Sequence, residues 1–162
     1  MPSSYSRVVL HTMFSTKYRN RSITPEIEDS LLRYLVGRLK LNGSHTIEIN
    51  AVEDHVHIIH TLPRNISIAD LIREIKKWSS SDIKKEFPDY EWFYWQTGFS
   101  TFSVDYRKMD QLIDYVRNQK VHHSSNNPEN TFEKELVWLL THYGIEFNID
   151  YLFPEPVDID EL

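Results

Sequence analysis

A chain of 162 residues with 40% hydrophobic and 13% aromatic content has the length of one ordinary domain and enough apolar material for a single core. The absence of cysteine excludes a disulfide framework and any thiolate metal site, so a bound metal must rest on nitrogen and oxygen ligands. A net charge of -6 excludes a uniformly basic surface but not local basic ones, and no apolar run has membrane-spanning length or signal-peptide form, so the expectation is a soluble, cytoplasmic protein with no membrane partner.

Residues 5–16 alternate and are rich in bulky apolar side chains (Val8, Val9, Leu10, Met13, Phe14), which predicts a first strand buried on at least one side. A basic connector follows, and Thr24-Pro25-Glu26 opens a helix with a cap, a proline in the first turn and an early acid. Its apolar stripe is read as Leu31, Leu32, Leu35, Leu39 and Leu41, and Asn42-Gly43 ends it. Residues 45–53 and 55–62 read as two strands joined at Glu53-Asp54, a hairpin. Ser67 caps a second helix carrying Ile68, Leu71, Ile72, Ile75, Trp78 and Ile83, with Lys76, Lys77, Lys84 and Lys85 on its exposed side.

An aromatic stretch over 90–99 leads into a strand at 101–104. The order strand-helix-strand-strand-helix-strand predicts an α+β fold with a ferredoxin-like antiparallel sheet. Additional C-terminal helices are expected over 110–121 and 131–143, the latter closed by Gly144, with a turn or connector at Ser124-Ser125-Asn126-Asn127-Pro128 between them. Residues 1–153 form one expected domain, and 154–162, with Glu155, Asp158, Asp160 and Glu161, an acidic flexible tail.

Within the second hairpin strand, His55 and His57 project to one face while Val56 and Ile58 project to the other. Two imidazoles side by side suit a divalent ion, although strand histidines are more often simply hydrogen-bonded. His60 falls on the opposite face and reads as a satisfied core histidine. On the helix over 110–121, Tyr115 and Gln119 are four apart and point together. A glutamine carbonyl is a hard ligand able to complete a magnesium or manganese site, and a phenol beside it can attack a polarised phosphodiester. An inward tyrosine is more often only packed. His122 is a candidate proton carrier, but the pair His122-His123 reads first as a solvated helix end.

Asp54-His55-Val56-His57, residues 95–104 from Trp95-Gln96-Thr97-Gly98-Phe99 onward, Tyr115-Val116-Arg117-Asn118-Gln119 and His122-His123 together resemble the single-tyrosine HUH transposases of small bacterial insertion sequences, including their relatives associated with repetitive extragenic palindromes. The resemblance runs from Tyr5 to about Phe153, the late segments Thr131-Phe132-Glu133-Lys134-Glu135 and Tyr143-Gly144-Ile145 included. It implies that His55, His57 and Gln119 hold Mg2+ or Mn2+ and that Tyr115 is the nucleophile. It also implies cleavage and rejoining of single-stranded DNA bearing hairpins near element ends, through a covalent 5′-phosphotyrosine. A homodimer is implied too, in which the helix over 110–121 acts within its own subunit or, as in related enzymes, is exchanged between subunits about a connector near Gly98. Lys17, Arg19, Arg21, Lys76, Lys77, Lys84, Lys85, Arg107 and Lys108 are the candidate phosphate contacts, and the aromatics over 90–99 are candidates for stacking on unpaired bases. Two other readings stand beside this one: a hairpin-DNA-binding protein without transposition, and a metal-dependent phosphoester hydrolase.

Overall fold

Four strands, β1 (Val9–Ser15), β2 (Thr46–Ala51), β3 (His55–Thr61) and β4 (Ser100–Ser103), pair antiparallel in the order β2-β3-β1-β4 in this computed structural model, which describes residues 3–124 and 131–153. Helices α1 (Pro25–Leu41) and α2 (Ile68–Glu86) supply the two crossovers, so the sheet has the expected ferredoxin-like connectivity. Four further helices, α3 (Met109–Arg117), α4 (Gln119–Ser124), α5 (Phe132–His142) and α6 (Ile149–Leu152), follow among the described residues.

The sheet divides two cores. Phe14, Ala51, Val56 and Ile58 face α1 and α2, where Leu31, Leu35, Leu39, Leu71, Ile72, Ile75 and Ile83 are buried. Full burial of such a side chain contributes about 1.5–3 kcal/mol relative to leaving it in water. On the other face, Met13 and Phe102 pack under Phe132, Leu136, Leu139 and Leu140 of α5, and Val9 and Ile59 under Val116 of α3. Both faces of β1 and β3 are therefore covered, and β1 is buried at all seven positions.

Local chemistry sets the helix limits. Thr24 precedes Pro25 at the start of α1, Glu26 and Glu28 lie in its first turn, Arg38 and Lys40 in its last, and each charge opposes the helix dipole. Gly43, at φ +82°, ends it in a conformation that costs other residues strain. The Ser67 hydroxyl accepts from the Asp70 N–H (3.1 Å) at the start of α2, and the Thr131 hydroxyl from the Lys134 N–H (3.3 Å) at the start of α5.

The structure departs from several expectations. Tyr5 is 93% exposed and β1 begins only at Val9. Leu41 is 77% exposed, because it stands two residues beyond Leu39 and so about 200° around the helix from the buried stripe. The helix expected over 110–121 is two helices. Asn50 of β2 donates its amide to the carbonyls of Val116 (2.9 Å) and Arg117 (3.1 Å), taking acceptors an unbroken helix would use, and Asn118 marks the break. The short α6 has no counterpart among the expected elements. The acidic tail and residues 125–128 of the expected connector lie outside the described residues. No helix among the described residues is long and apolar enough to cross a membrane.

His60 is buried on the α1/α2 side of the sheet, its Nε2 2.7 Å from the Thr12 hydroxyl and its Nδ1 3.3 Å from that of Ser44, as expected of a satisfied core histidine. Burial pushes it down to about 4 from 6.5. As pH falls from 6.5 towards 4 the unfolded chain binds a proton that the folded chain refuses, so stability drops over that window, by about 3 kcal/mol at most from this residue. Urea titrations across pH 4–7 should therefore show a shallower acid loss in His60→Gln than in the wild-type protein; an equally steep loss would remove this assignment.

Candidate active site on the histidine face

Strand alternation carries His55 and His57 of β3 to the face under α5, where both are fully buried. Each is oriented through Nδ1: that of His55 lies 2.7 Å from Asp54 Oδ1, and that of His57 lies 2.8 Å from Nε2 of His11 on β1. With Nδ1 engaged, both rings turn Nε2 inward, the arrangement in which partners behind an imidazole fix its tautomer and aim its other nitrogen.

The inward nitrogens meet the carboxylate of Glu135, which descends from α5. Oε1 lies 2.9 Å from His57 Nε2 and 3.4 Å from His55 Nε2, and Oε2 accepts from the Tyr115 hydroxyl and from the Gln119 amide (3.3 Å). Tyr115 stands edge-on to His57, ring centroids 5.9 Å apart. Gln119 is wholly buried, and its Oε1 has no hydrogen-bond partner among the described residues. Although α3 and α4 are separate helices, the Gln119 amide still reaches the Tyr115 carbonyl at 3.4 Å, so the pair stays together.

His55, His57 and Glu135 present ligand atoms within 4.8 Å of one another, a buried cluster able to hold a metal ion. The donors fit such an ion chemically: two imidazole nitrogens, a carboxylate, and an amide oxygen whose burial without a partner otherwise carries a desolvation cost. All of these groups come from one chain, with Tyr115 beside the histidines of its own subunit.

The electrostatics are those of a buried, acid-centred site. Burial and the neighbouring His57 push His11 down to about 3, leaving it neutral. Burial opposes protonation of His55, but its bonds to Asp54 and Glu135 outweigh that and raise its pKa. The Tyr115 phenol is driven far above its ordinary value, first by burial and then by the charge and hydrogen bond of Glu135.

Two participants were not singled out as site residues from the sequence. Glu135 falls at i+3 from Phe132 in the stripe completed by Leu136, Leu139 and Leu140; a carboxylate on the apolar face of a helix was the available signal. His11, a histidine inside a run of buried residues in β1, carries the same kind of signal.

The candidate DNA-contacting cations separate into groups. Lys76, Lys77, Lys84 and Lys85 line one open groove along α2 with Tyr94, whose ring lies 3.5 Å below Lys84 Nζ and 5.6 Å from Lys17 Nζ. Within it, Lys76 donates to the carbonyls of Gln96 (2.5 Å) and Gly98 (2.6 Å), and burial pushes it down to about 8. Arg19 pairs with Glu133 and lies over Phe153, helping to dock α5, while Arg21 meets Glu53 at 3.4 Å. Arg107 is held by Asp105, and Lys108 stands beside a different cleft. Of the aromatics over 90–99, Phe93 is core, whereas Trp92, Tyr94 and Phe99 stay substantially exposed. His122 and His123 belong to α4, with side chains outside the described set.

In metal-free protein, Glu135→Gln should lower the Tyr115 pKa by removing a facing negative charge. The ultraviolet phenolate titration, read as the difference between each protein and its Tyr115→Phe counterpart, measures this; no downward movement would dissociate Tyr115 from Glu135.

The sequence profile of the family described as "Transposase IS200 like" matches residues 4–119. The ISDra2 transposase TnpA of Deinococcus radiodurans is 23% identical over 114 residues, 67% of this chain and 81% of the relative. Among solved structures, a transposase from the same organism, described as putative, superposes with TM-score 0.60 at 22% identity, covering 74% of this chain and 95% of that one. A REP-associated tyrosine transposase bound to a REP hairpin superposes with TM-score 0.56 at 18% identity, covering 98% and 93%. At these identities the superpositions establish the shared fold. Glu135 lies beyond the stretch matched by the family profile.

Proposed function

Because the chain belongs to the IS200-like transposase family, we propose that it cleaves and rejoins single-stranded DNA through a covalent 5′-phosphotyrosine on Tyr115, with Mg2+ or Mn2+ held by His55, His57, Gln119 and Glu135. The observation that carries this reading is the convergence, within one chain, of Tyr115, both histidines and Gln119 on a single buried carboxylate. When bound, the metal supplies a Lewis acid for the phosphate oxygens, able to stabilise charge developing at phosphorus.

The chain's own residues divide the remaining work. Tyr115 Oη attacks phosphorus, its proton passes to Glu135 Oε2, the P–O3′ bond breaks, and the departing strand takes up a proton to end as a 3′ hydroxyl. The two oxygens of Glu135 thus have separate duties, Oε1 towards the imidazoles and Oε2 towards the nucleophile. The phosphotyrosine conserves the energy of the broken phosphodiester, so attack by another 3′ hydroxyl reseals DNA without a high-energy cofactor. Asp54 and His11 keep the two Nε2 atoms aimed. The substrate is DNA with hairpins beside the cleavage point, and the lysine groove along α2 offers a path for its phosphates. A homodimer, in this reading, brings two DNA ends together rather than completing either site.

The test is incubation with hairpin-bearing single-stranded DNA from the chain's own locus plus Mn2+. A covalent protein–DNA adduct is expected; Tyr115→Phe should abolish it and Glu135→Gln slow it by about 10²–10⁴-fold. His57→Ala should weaken Mn2+ binding measured by calorimetry. An adduct surviving Tyr115→Phe would overturn the nucleophile, and Mn2+ affinity unchanged in His57→Ala would overturn the metal site.

A further inference from the structure

A second cleft opens beside the nucleophile and shares no lining residue with the lysine groove. Its volume is about 530 Å³, and its lining includes Tyr115, His11, Trp138, His142, Tyr143 and Lys108. That size falls within the range that encloses small organic ligands. Its aromatic rings are ordered against one another: Trp138 and His142 lie parallel, 7° apart with centroids at 5.0 Å, and Tyr143 stacks on Phe102 at 4.7 Å. Trp138 nevertheless leaves 62% of its surface exposed. An exposed indole fixed by a parallel neighbour is a ready stacking platform for a flat heterocycle.

Position and charge identify the occupant. The cleft shares Tyr115 with the reaction centre, so a phosphodiester presented to that hydroxyl places its adjoining nucleotide at the cleft mouth. Backbone phosphates are matched by the four lysines along α2, whereas this cleft is lined by aromatic rings and a single lysine, suited to a base with one phosphate beside it. Gln111 and Asp105 in the lining provide groups that can hydrogen-bond a base. Resting on the function proposed above, we infer that this cleft is a specificity subsite that takes the unpaired nucleobase next to the scissile phosphate, stacked on Trp138.

The experiment walks single abasic sites along the unpaired flank of a hairpin oligonucleotide. Binding is read by tryptophan quenching in a Tyr115→Phe background, so that no chemistry is required. One flanking position should bind at least about fivefold more weakly when abasic. Trp138→Ala should abolish that penalty and much of the quenching, while Trp138→Phe restores the penalty. The inference is overturned if the abasic penalty persists unchanged in Trp138→Ala. It is equally overturned if no position shows a penalty, or if Trp138→Ala alters only the sedimentation of the free protein, which would assign the surface to a second copy of the chain. Failure of the protein with Tyr115 intact to form an adduct, with quenching and penalty intact, would instead remove the catalytic proposal.

Discussion

The candidate site hangs on one buried carboxylate. A charged Glu135 away from water costs several kcal/mol unless it is fully engaged, and the fold engages it from three directions: β3 through His55 and His57, α3 through Tyr115, and α4 through Gln119. The same contacts hold α5 against the sheet, assisted by Phe132, Leu136 and the Arg19–Glu133 ion pair. Removing the acid from this arrangement leaves no group among those described to reconcile two imidazoles, a phenol and an amide converging on one point. Packing and polarity are here a single problem with a single solution.

The sheet keeps that problem apart from the one of stability. Behind it, α1 and α2 close over a leucine- and isoleucine-rich core, and the buried imidazole on that side, His60, is hydrogen-bonded. In front of it, polar groups interrupt the apolar packing at the centre, and the apolar residues divide into one cluster beneath α5 and another beneath α3. Substitutions on the front can alter the site without dissolving the scaffold that positions it.

Most of the fold was legible because it depends on local signals. Alternation identified the strands, Ser67 and Pro25 marked helix starts, and Gly43 and Gly144 marked ends. The unexpected break in the helix over 110–121 arose from a distant partner overriding a local pattern. Asn118 is only a weak local signal for a break, and the acceptors there are taken by Asn50, 66 residues before Val116. Arg19 and Arg107, candidate phosphate contacts by sequence, are also ion-paired, Arg19 with Glu133 far along the chain and Arg107 with Asp105 two residues away. In the candidate site, His55, His57, Tyr115 and Gln119 could be paired by parity and helical spacing. His11 and Glu135 could not, since each gains meaning only from elements brought together by the tertiary fold.

Alternation along β3 has a consequence for how faithfully the chain folds. Slipping this strand by a single residue would turn Val56 and Ile58 towards Glu135 and drive two imidazoles into the leucines behind the sheet. Such a molecule would strand a carboxylate and two rings in surroundings that cannot satisfy them, a penalty incurred on both surfaces at once. The strand thus acts as its own proofreader: the residues that would bind the ion also reject the misaligned pairing, so a chain that has folded at all has folded with its site assembled.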